Sequence, residues 1–243
     1  MEQSRKKFLK NLLVSAAAIP VVIEACKKSN DTTTDTTDTT SNSNNGSCTK
    51  APEETDGPYP LYASRTEAID HVDITEGKTG IPLNVTINIL NVNNSCQPLA
   101  NARVDIWHCD KDGYYSGYTN NGYLGTQNNE KATFCRGIQH TDANGQVKFA
   151  TIYPGWYTGR ITHIHAQIYV NDVLKTTTQI AFPDDLNTII YKTALYAAHG
   201  QNNSVARNSA DSVFADSLYA ELASVTANTS GGYDMVHTIR ISG

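Results

Sequence analysis

The sequence predicts an all-β fold over residues 48–243, an antiparallel β-sandwich with long loops and one or two short C-terminal helices. Short runs rich in β-branched residues alternate apolar and polar side chains, as half-buried strands do. Clusters of Asn, Asp and Gly stand between these runs, at 93–94, 142–145 and 171–172, and are typical of turns. Helical periodicity is faint in most of the chain. Closely spaced strands joined by turns favour a sandwich.

The individual elements follow from this alternation. In residues 81–92, apolar side chains at 85, 87 and 89 alternate with polar ones at 84, 86 and 88. Apolar residues recur at helical spacing around 209–224, where Ser209 and Asp211 are candidate N-caps of a helix. The other predicted strands are residues 102–109, 146–152, 161–170, 173–182 and 235–242.

Residues 1–26 have the features of an export signal. A positive segment precedes the apolar run 12–23, which is too short to span a bilayer stably. The string SRKKFLK at 4–10 resembles a twin-arginine signal, with lysine in place of the second arginine. Cys26 follows Ile-Glu-Ala, which resembles a lipobox, although Glu24 is unusual there. We therefore expect an exported protein with a lipid anchor on Cys26, at the periplasmic or outer cell surface. Plain secretion after cleavage nearby is the alternative.

Residues 27–47 contain no hydrophobic side chain. Such a segment cannot bury enough apolar surface to offset its ordering entropy, so it is predicted to be a disordered tether. Its mean reach of roughly 25 Å would hold the domain at 48–243 off a membrane. The net charge of the whole chain is −5 and no basic stripe is present, which excludes nucleic acid as an expected partner.

Four cysteines remain in the predicted domain if Cys26 carries lipid. An even number in an exported domain indicates disulfides. Of the three possible pairings we favour Cys48–Cys96 with Cys109–Cys135, because the second two flank one hairpin-connected segment. Free buried thiols are the alternative.

A histidine pair at the centre of the chain indicates a metal site. His163 and His165 are two apart in a predicted strand, so both side chains point to one face and can bind one ion. Tyr157 lies just upstream, and Tyr115 ends the segment WHCDKDGYY. Imidazoles with phenolates form a hard, basic ligand set that suits ferric iron. The histidine pair alone also fits zinc, or a sheet face without metal.

Five ordered motifs carry a resemblance to a known family. The chain resembles the intradiol ring-cleavage dioxygenases, which include the catechol 1,2-dioxygenases and protocatechuate 3,4-dioxygenases, over about residues 48–185. The resemblance implies an antiparallel β-sandwich core. A helical dimerisation domain does not precede the sandwich, so the chain looks more like secreted single-domain members, and its oligomeric state stays open. The motifs are ETDGPYP (54–60), IWHCDKDGYYSG (106–117), RGIQHTDANGQVKFATIYPGWY (136–157), RITHIHAQI (160–168) and QIAFPDD (179–185).

The resemblance also implies a non-haem Fe(III) cofactor and its ligands. Tyr157 and His163 would be axial, and Tyr115 and His165 equatorial, with water or hydroxide completing the coordination. Both tyrosines would bind as anions, because ferric iron lowers the pKa of a bound phenol.

The same resemblance assigns roles to two further residues, and position in the sequence adds three tyrosines to the candidates. Arg160 would stabilise charge that develops on the substrate ring, and Gln179 matches the family's glutamine behind the ligands. Tyr59 is expected to wall the substrate pocket. Tyr114 competes with Tyr115 as a ligand, and Tyr153 competes with Tyr157.

The expected activity is cleavage of a catechol between its two hydroxylated carbons with O₂, which gives a cis,cis-muconate-type diacid. Catechol, protocatechuate, hydroxyquinol and substituted catechols remain open as substrates. One alternative is a tethered sandwich that binds an aromatic ligand without turnover. Another is a zinc hydrolase, which would need a carboxylate base, and no Asp or Glu stands between 143 and 171.

Overall fold

The computed structural model describes residues 48–61 and 69–243. The export signal, the lipidation site at Cys26 and the polar tether lie outside the described residues and remain predictions. Across the described ranges, no helix has the length and apolar character needed to cross a lipid bilayer.

Strands dominate the described part of the chain, as predicted. The two α-helices formed there are α1 (Asp184–Ile190) and α2 (Leu218–Glu221), and 3-10 turns cover Val92–Asn94 and Asn208–Ala210. The strands are β1 (Pro82–Asn91), β2 (Gln97–Pro98), β3 (Arg103–Trp107), β4 (Thr119–Gly122), β5 (Gly125–Asn128), β6 (Arg136–His140), β7 (Gln146–Ile152), β8 (His163–Val170), β9 (Val173–Ala181), β10 (Ser224–Ala227) and β11 (Tyr233–Ile241).

The strands form two main sheets and a hairpin. In the first sheet β1 is central, with β11 along one side, β7 and β2 along the other, and β10 beyond β11. The second sheet has the order β6-β3-β8-β9 and all its neighbours are antiparallel. The hairpin is β4–β5. The β1–β11 pair is parallel, which departs from the predicted antiparallel arrangement. The long intervening chain supplies the crossover that a parallel pair requires.

The hydrophobic core lies between the two sheets. Val85 and Ile87 of β1 are buried in it together with Ile164 and Ile168 of β8. Because successive side chains of a strand point to opposite faces, the odd-numbered residues at the start of β8 lie on the outer face of the second sheet. The loops 54–61 and 108–118 and the segment 205–218 cover that face. The outer face is therefore a second, smaller buried compartment.

The C-terminal segment differs from its predicted helix over 209–224. Only α2 forms there, a single turn, while the preceding residues make turns. Phe214 and Leu218 pack against Ile161 and Ala181 on the outer face of the second sheet. Their helix-like spacing thus reflects burial against a sheet. Helix α1 was not predicted, although Pro183 before it and two acidic residues in its first turn are typical of a helix start.

The cysteines follow one half of the predicted pairing. Cys48 and Cys96 form a disulfide, as predicted. The predicted Cys109–Cys135 bond is wrong, because both are buried free thiols. Cys109 packs with the residues of the outer compartment, whereas Cys135 packs in a separate cluster with Phe134 and Ile152. Cys109 follows the end of β3 and Cys135 precedes the start of β6, and their side chains are buried in different clusters.

Candidate metal centre

Two imidazole nitrogens converge at the start of β8. His163 Nε2 and His165 Nε2 are 3.1 Å apart, and both side chains are about 1 % exposed. His163 Nδ1 lies 2.6 Å from the backbone carbonyl of Ile161. That carbonyl can only accept, so Nδ1 carries the proton and the lone pair of Nε2 faces His165.

The first predicted tyrosine reaches the same point from another loop. Tyr115 is fully buried, and its hydroxyl lies 3.3 Å from His163 Nε2. Asp110 shapes the loop that delivers it by accepting hydrogen bonds from the backbone of Asp112 and Tyr114, each at 3.0 Å. The spacing of eight residues after Trp107 is therefore the length of a loop that carries Tyr115 from the end of β3 to β8.

Tyr157, the second predicted tyrosine, lies in a turn just before β8. The centroid of its ring is 5.6 Å from that of His163 and 5.8 Å from that of Tyr115. Arg160 N donates to Tyr157 O at 3.0 Å and closes the turn. Gly159 has a φ of +91° within this turn, a conformation that L-residues with a Cβ rarely adopt.

The two competing tyrosines point elsewhere. Tyr114 donates its hydroxyl hydrogen to Gly125 O in the β4–β5 hairpin at 2.8 Å. Tyr153 donates to Asn187 Oδ1 at 2.8 Å and packs against Phe182 in the core between the sheets. Neither phenol lies at the histidine pair.

The donor atoms fit a single cation. Atoms about 2.1 Å from a shared ion lie about 3.0–3.4 Å from one another for bond angles between right-angled and tetrahedral. The separations of 3.1 and 3.3 Å among the three donor atoms fall in this range. Among the described residues, His, Cys, Asp and Glu side chains form no metal-binding group of three or more, and the two histidines are accompanied by tyrosines.

The electrostatics of the compartment also suit a highly charged cation. Burial holds the pKa of both histidines well below its usual value, so both are neutral and offer lone pairs. Burial raises the pKa of Tyr157 to about 12 and that of Tyr115 well above its ordinary value. Without a cation neither phenol ionises near neutral pH, whereas a bound metal ion favours the phenolate.

Arg160 is held beside the centre by three groups. Its Nε lies 3.0 and 2.9 Å from the two carboxylate oxygens of Asp211. Its Nη2 donates to Gln179 Oε1 at 2.6 Å, and the guanidinium lies over the Phe214 ring at 5.6 Å. The positive charge of Arg160 lowers the pKa of Tyr157 in opposition to burial. The turn at Gly159 thus precedes an Arg160 side chain that lies near Tyr157, on the side of the candidate centre.

Gln179 connects this arginine to the N-terminal loop. It lies opposite His165 in the β8–β9 register and is fully buried. Its Nε2 donates to Thr55 O at 2.8 Å. Two residues later Gly57 has a φ of +69°, and a Cβ there would lie 3.0 Å from His165 Cε1. The loop 54–61 therefore rests directly on the His165 ring.

Aromatic rings enclose the centre. Tyr59 stacks on Tyr115 with centroids 4.9 Å apart and meets Tyr157 edge-on at 6.4 Å. Trp107 lies parallel to His165 at 4.8 Å, within 2°. The side-chain role of Trp107 was missed in the sequence, because the register that sets it opposite His165 depends on strand pairing.

Two residues of the C-terminal segment were also missed. Asp211 was predicted only as a helix cap and instead binds Arg160. Phe214 lies beside His163 with ring centroids 6.4 Å apart. No sequence signal links either residue to a strand about 50 positions away.

A buried carboxyl group near this segment makes stability depend on pH. Glu221 is fully buried and accepts a hydrogen bond from Ser217 Oγ at 2.8 Å. The pKa of Glu221 is raised to about 7, chiefly by burial and also by the nearby Glu54 carboxyl. The protonated form is favoured in the folded state. Its contribution to stability is full below the ordinary pKa of 4.5 and is lost as the pH rises toward 7.

We expect Glu221→Gln, which mimics the protonated acid, to remove this loss. The free energy of unfolding of the variant relative to wild type should grow by about 2 kcal/mol between pH 5 and pH 8. Urea unfolding at each pH measures this difference in the free energy of unfolding, and Glu53→Gln, at an exposed position, is the control. Parallel pH curves for Glu221→Gln and wild type would contradict the expectation.

Comparisons with known proteins show which family the chain is similar to. A family model described as Dioxygenase matches residues 57–218. Catechol 1,2-dioxygenase from Acinetobacter baylyi (strain ATCC 33305 / BD413 / ADP1) is 26% identical over 145 residues, which cover 52% of this chain and 45% of that protein. The chain thus matches less than half the length of this curated relative.

Solved structures extend the similarity to the fold. The intradiol ring-cleavage dioxygenase from Tetranychus urticae is 30% identical, with a TM-score of 0.69 over 80% of this chain and 95% of that chain. The 3-chlorocatechol 1,2-dioxygenase from Rhodococcus opacus 1CP is 19% identical, with a TM-score of 0.54 over 79% of this chain and 72% of that chain. The second similarity is one of fold alone.

Proposed function

Because the chain belongs to the intradiol ring-cleavage dioxygenase family, we propose that it cleaves a catechol between its two hydroxylated carbons with O₂. Both oxygen atoms enter the product, a cis,cis-muconate-type diacid, so the reaction needs no external reductant. The observation that carries the proposal is the position of His163 Nε2, which lies 3.1 Å from His165 Nε2 and 3.3 Å from the Tyr115 hydroxyl, with the Tyr157 ring beside His163.

The cofactor in this proposal is a non-haem ferric ion held by Tyr115, Tyr157, His163 and His165. When bound, it supplies the positive charge that ionises the phenols and the catechol hydroxyl groups and that activates the ring toward O₂. The two neutral histidines hold the ion without adding charge. The two phenolates lower the net charge of the buried site.

The other roles belong to the side chains themselves. Tyr157 is partly exposed and Tyr115 fully buried, so Tyr157 is the phenol that accepts a catechol proton at Oη. Arg160 stabilises negative charge that grows on the substrate ring. Tyr59, stacked on Tyr115, forms a wall against which the flat substrate packs. Gln179 holds Arg160 and the loop over His165.

Oxygen uptake by the iron-loaded protein tests the proposal. We expect one O₂ consumed per catechol, a diacid product from cleavage between the hydroxylated carbons, and a red-brown colour from tyrosinate-to-iron charge transfer. A panel of catechol, protocatechuate, hydroxyquinol and substituted catechols identifies the substrate. Tight catechol binding without O₂ uptake would favour the binding-module alternative. A colourless protein that retains zinc would favour the hydrolase.

We also propose that the protein is exported and anchored through a lipid on Cys26. Support comes from the leader-like residues 1–26 and the polar tether after them. We expect Cys26→Ala to move the protein from the membrane fraction to the soluble fraction of the host cell, with catechol cleavage unchanged. Mass spectrometry of the mature N-terminus checks the modification. If the wild-type protein is already soluble and unlipidated, the lipid anchor is rejected and only the proposal of secretion remains.

A further inference from the structure

Asp211 is a buried carboxylate whose contacts converge on the candidate centre. It lies directly after the Asn208–Ala210 turn and is fully buried. Its two oxygens accept from Arg160 Nε at 3.0 and 2.9 Å. The same carboxylate accepts from the backbone of Ile161 at 2.9 Å and of Val213 at 3.0 Å. It therefore binds both the arginine and the chain that leads into β8.

The arginine it binds is restrained on its other sides as well. Gln179 Oε1 accepts from Arg160 Nη2 at 2.6 Å, and Asn202 Nδ2 donates to Arg160 O at 2.8 Å. An arginine side chain has several rotatable bonds and loses considerable entropy when fixed in one direction. The salt bridge with Asp211 is the contact that carries opposite charge. It therefore restrains the guanidinium by charge as well as by hydrogen bonds.

We propose that Asp211 is a positioning residue for ring cleavage. Its carboxylate orients the Arg160 guanidinium toward the space between Tyr157 and the substrate, so that the positive charge is in place before negative charge grows on the ring. Preorganised charge of this kind acts in the transition state more than in binding. The proposal rests on the proposed function, and it makes a claim about a residue outside the ligand set and outside the substrate wall.

A purely structural role makes a different prediction. If Asp211 only held the backbone at Ile161 and Val213, its loss would harm the protein whether or not Arg160 were present. If it acts through Arg160, the effects of changing the two residues are coupled. A double-mutant cycle separates the two cases, because it measures only the part of the effect that depends on both side chains.

The cycle uses the iron-loaded full chain with Asp211→Asn, Arg160→Leu and the double variant. Asparagine keeps the size of the side chain and one acceptor oxygen but removes the charge. We expect Asp211→Asn to lower kcat for catechol at least about tenfold with KM within about twofold, and to keep iron content and colour. In the Arg160→Leu background the same change should alter kcat less than about twofold. Exposed Asp185→Asn is the matched control.

Urea unfolding of the four proteins provides a readout independent of activity. Arg160→Leu leaves Asp211 buried without its counter-ion, so adding Asp211→Asn should not destabilise that variant further. If Asp211→Asn alone fails to fold and the double variant folds, the coupling is supported. If neither Asp211→Asn nor the double variant folds, the proposal is overturned. It is also overturned if Asp211→Asn causes equal losses of kcat and stability in the wild-type and Arg160→Leu backgrounds.

The cycle also separates this inference from the proposed function. An active wild type with a normally active Asp211→Asn variant overturns the inference alone. A wild type that consumes no O₂ with any catechol overturns the proposed function, and the inference that rests on it.

Discussion

Replacing Tyr157 by phenylalanine, or His165 by alanine, is expected to bleach the visible band of the iron-loaded protein and to lower turnover at least about a thousandfold. Each change removes one member of the candidate ligand set, in which His163 Nε2 lies 3.1 Å from His165 Nε2 and 3.3 Å from the Tyr115 hydroxyl. Without the Tyr157 phenolate the site loses a negative charge and half of its tyrosinate-to-iron chromophore. Without the His165 imidazole it loses a lone pair that no neighbouring group replaces.

Visible absorption, iron content per chain and O₂ uptake measure the expected result. The matched controls are Tyr114→Phe, whose hydroxyl donates to the β4–β5 hairpin, and His140→Ala, whose side chain is exposed. Both controls should keep the visible band and the turnover. If Tyr157→Phe and His165→Ala left the visible spectrum unchanged, the ligand assignment would be wrong.

Arg160→Leu is expected to keep iron, colour and catechol binding while kcat falls about a hundredfold or more, because a preorganised charge acts mainly in the transition state. The change removes the Arg160 guanidinium, which Asp211 and Gln179 hold in place. In the wild type, the positive charge of this guanidinium lowers the pKa of Tyr157. Steady-state kinetics with catechol, together with anaerobic catechol titration of the visible band, separate binding from turnover.

The exposed Arg207 lies in the same C-terminal segment, and Arg207→Leu is the matched control. It should turn over at close to the wild-type rate. Normal turnover by Arg160→Leu would reject its catalytic role. An Arg160→Leu chain that cannot fold would instead favour a structural role, since the change leaves Asp211 as an unpaired buried charge.

The strands were largely predictable because their signal is local. Alternation along the chain depends on which face of a strand is buried, and β7 has the predicted bounds 146–152. Strands β1, β8, β9 and β11 lie within about two residues of their predictions. Strands β4 and β5 escaped prediction because both sides of their polar hairpin are largely exposed, which erases the alternation.

The paired histidines were predictable for the same local reason. A spacing of two along a strand sets both side chains on one face whatever the rest of the fold does. The two tyrosines needed the resemblance, since spacing alone left Tyr114 and Tyr153 as competitors. The three-dimensional fold separates them by sending the competing hydroxyl groups into the hairpin and the main core.

The sequence by itself determined the all-β class, the central strands and the face on which His163 and His165 lie. Only the tertiary structure decided which distant groups meet there: Asp211 on Arg160, Trp107 on His165, and the β1–β11 pair. It also separated Cys109 from Cys135 and turned the predicted 209–224 helix into a cover for the outer sheet face. The physical reason is that the alternation of apolar and polar residues along a strand specifies only the face of that strand to which each side chain points. Register between strands and the docking of loops depend on the packing of the whole domain.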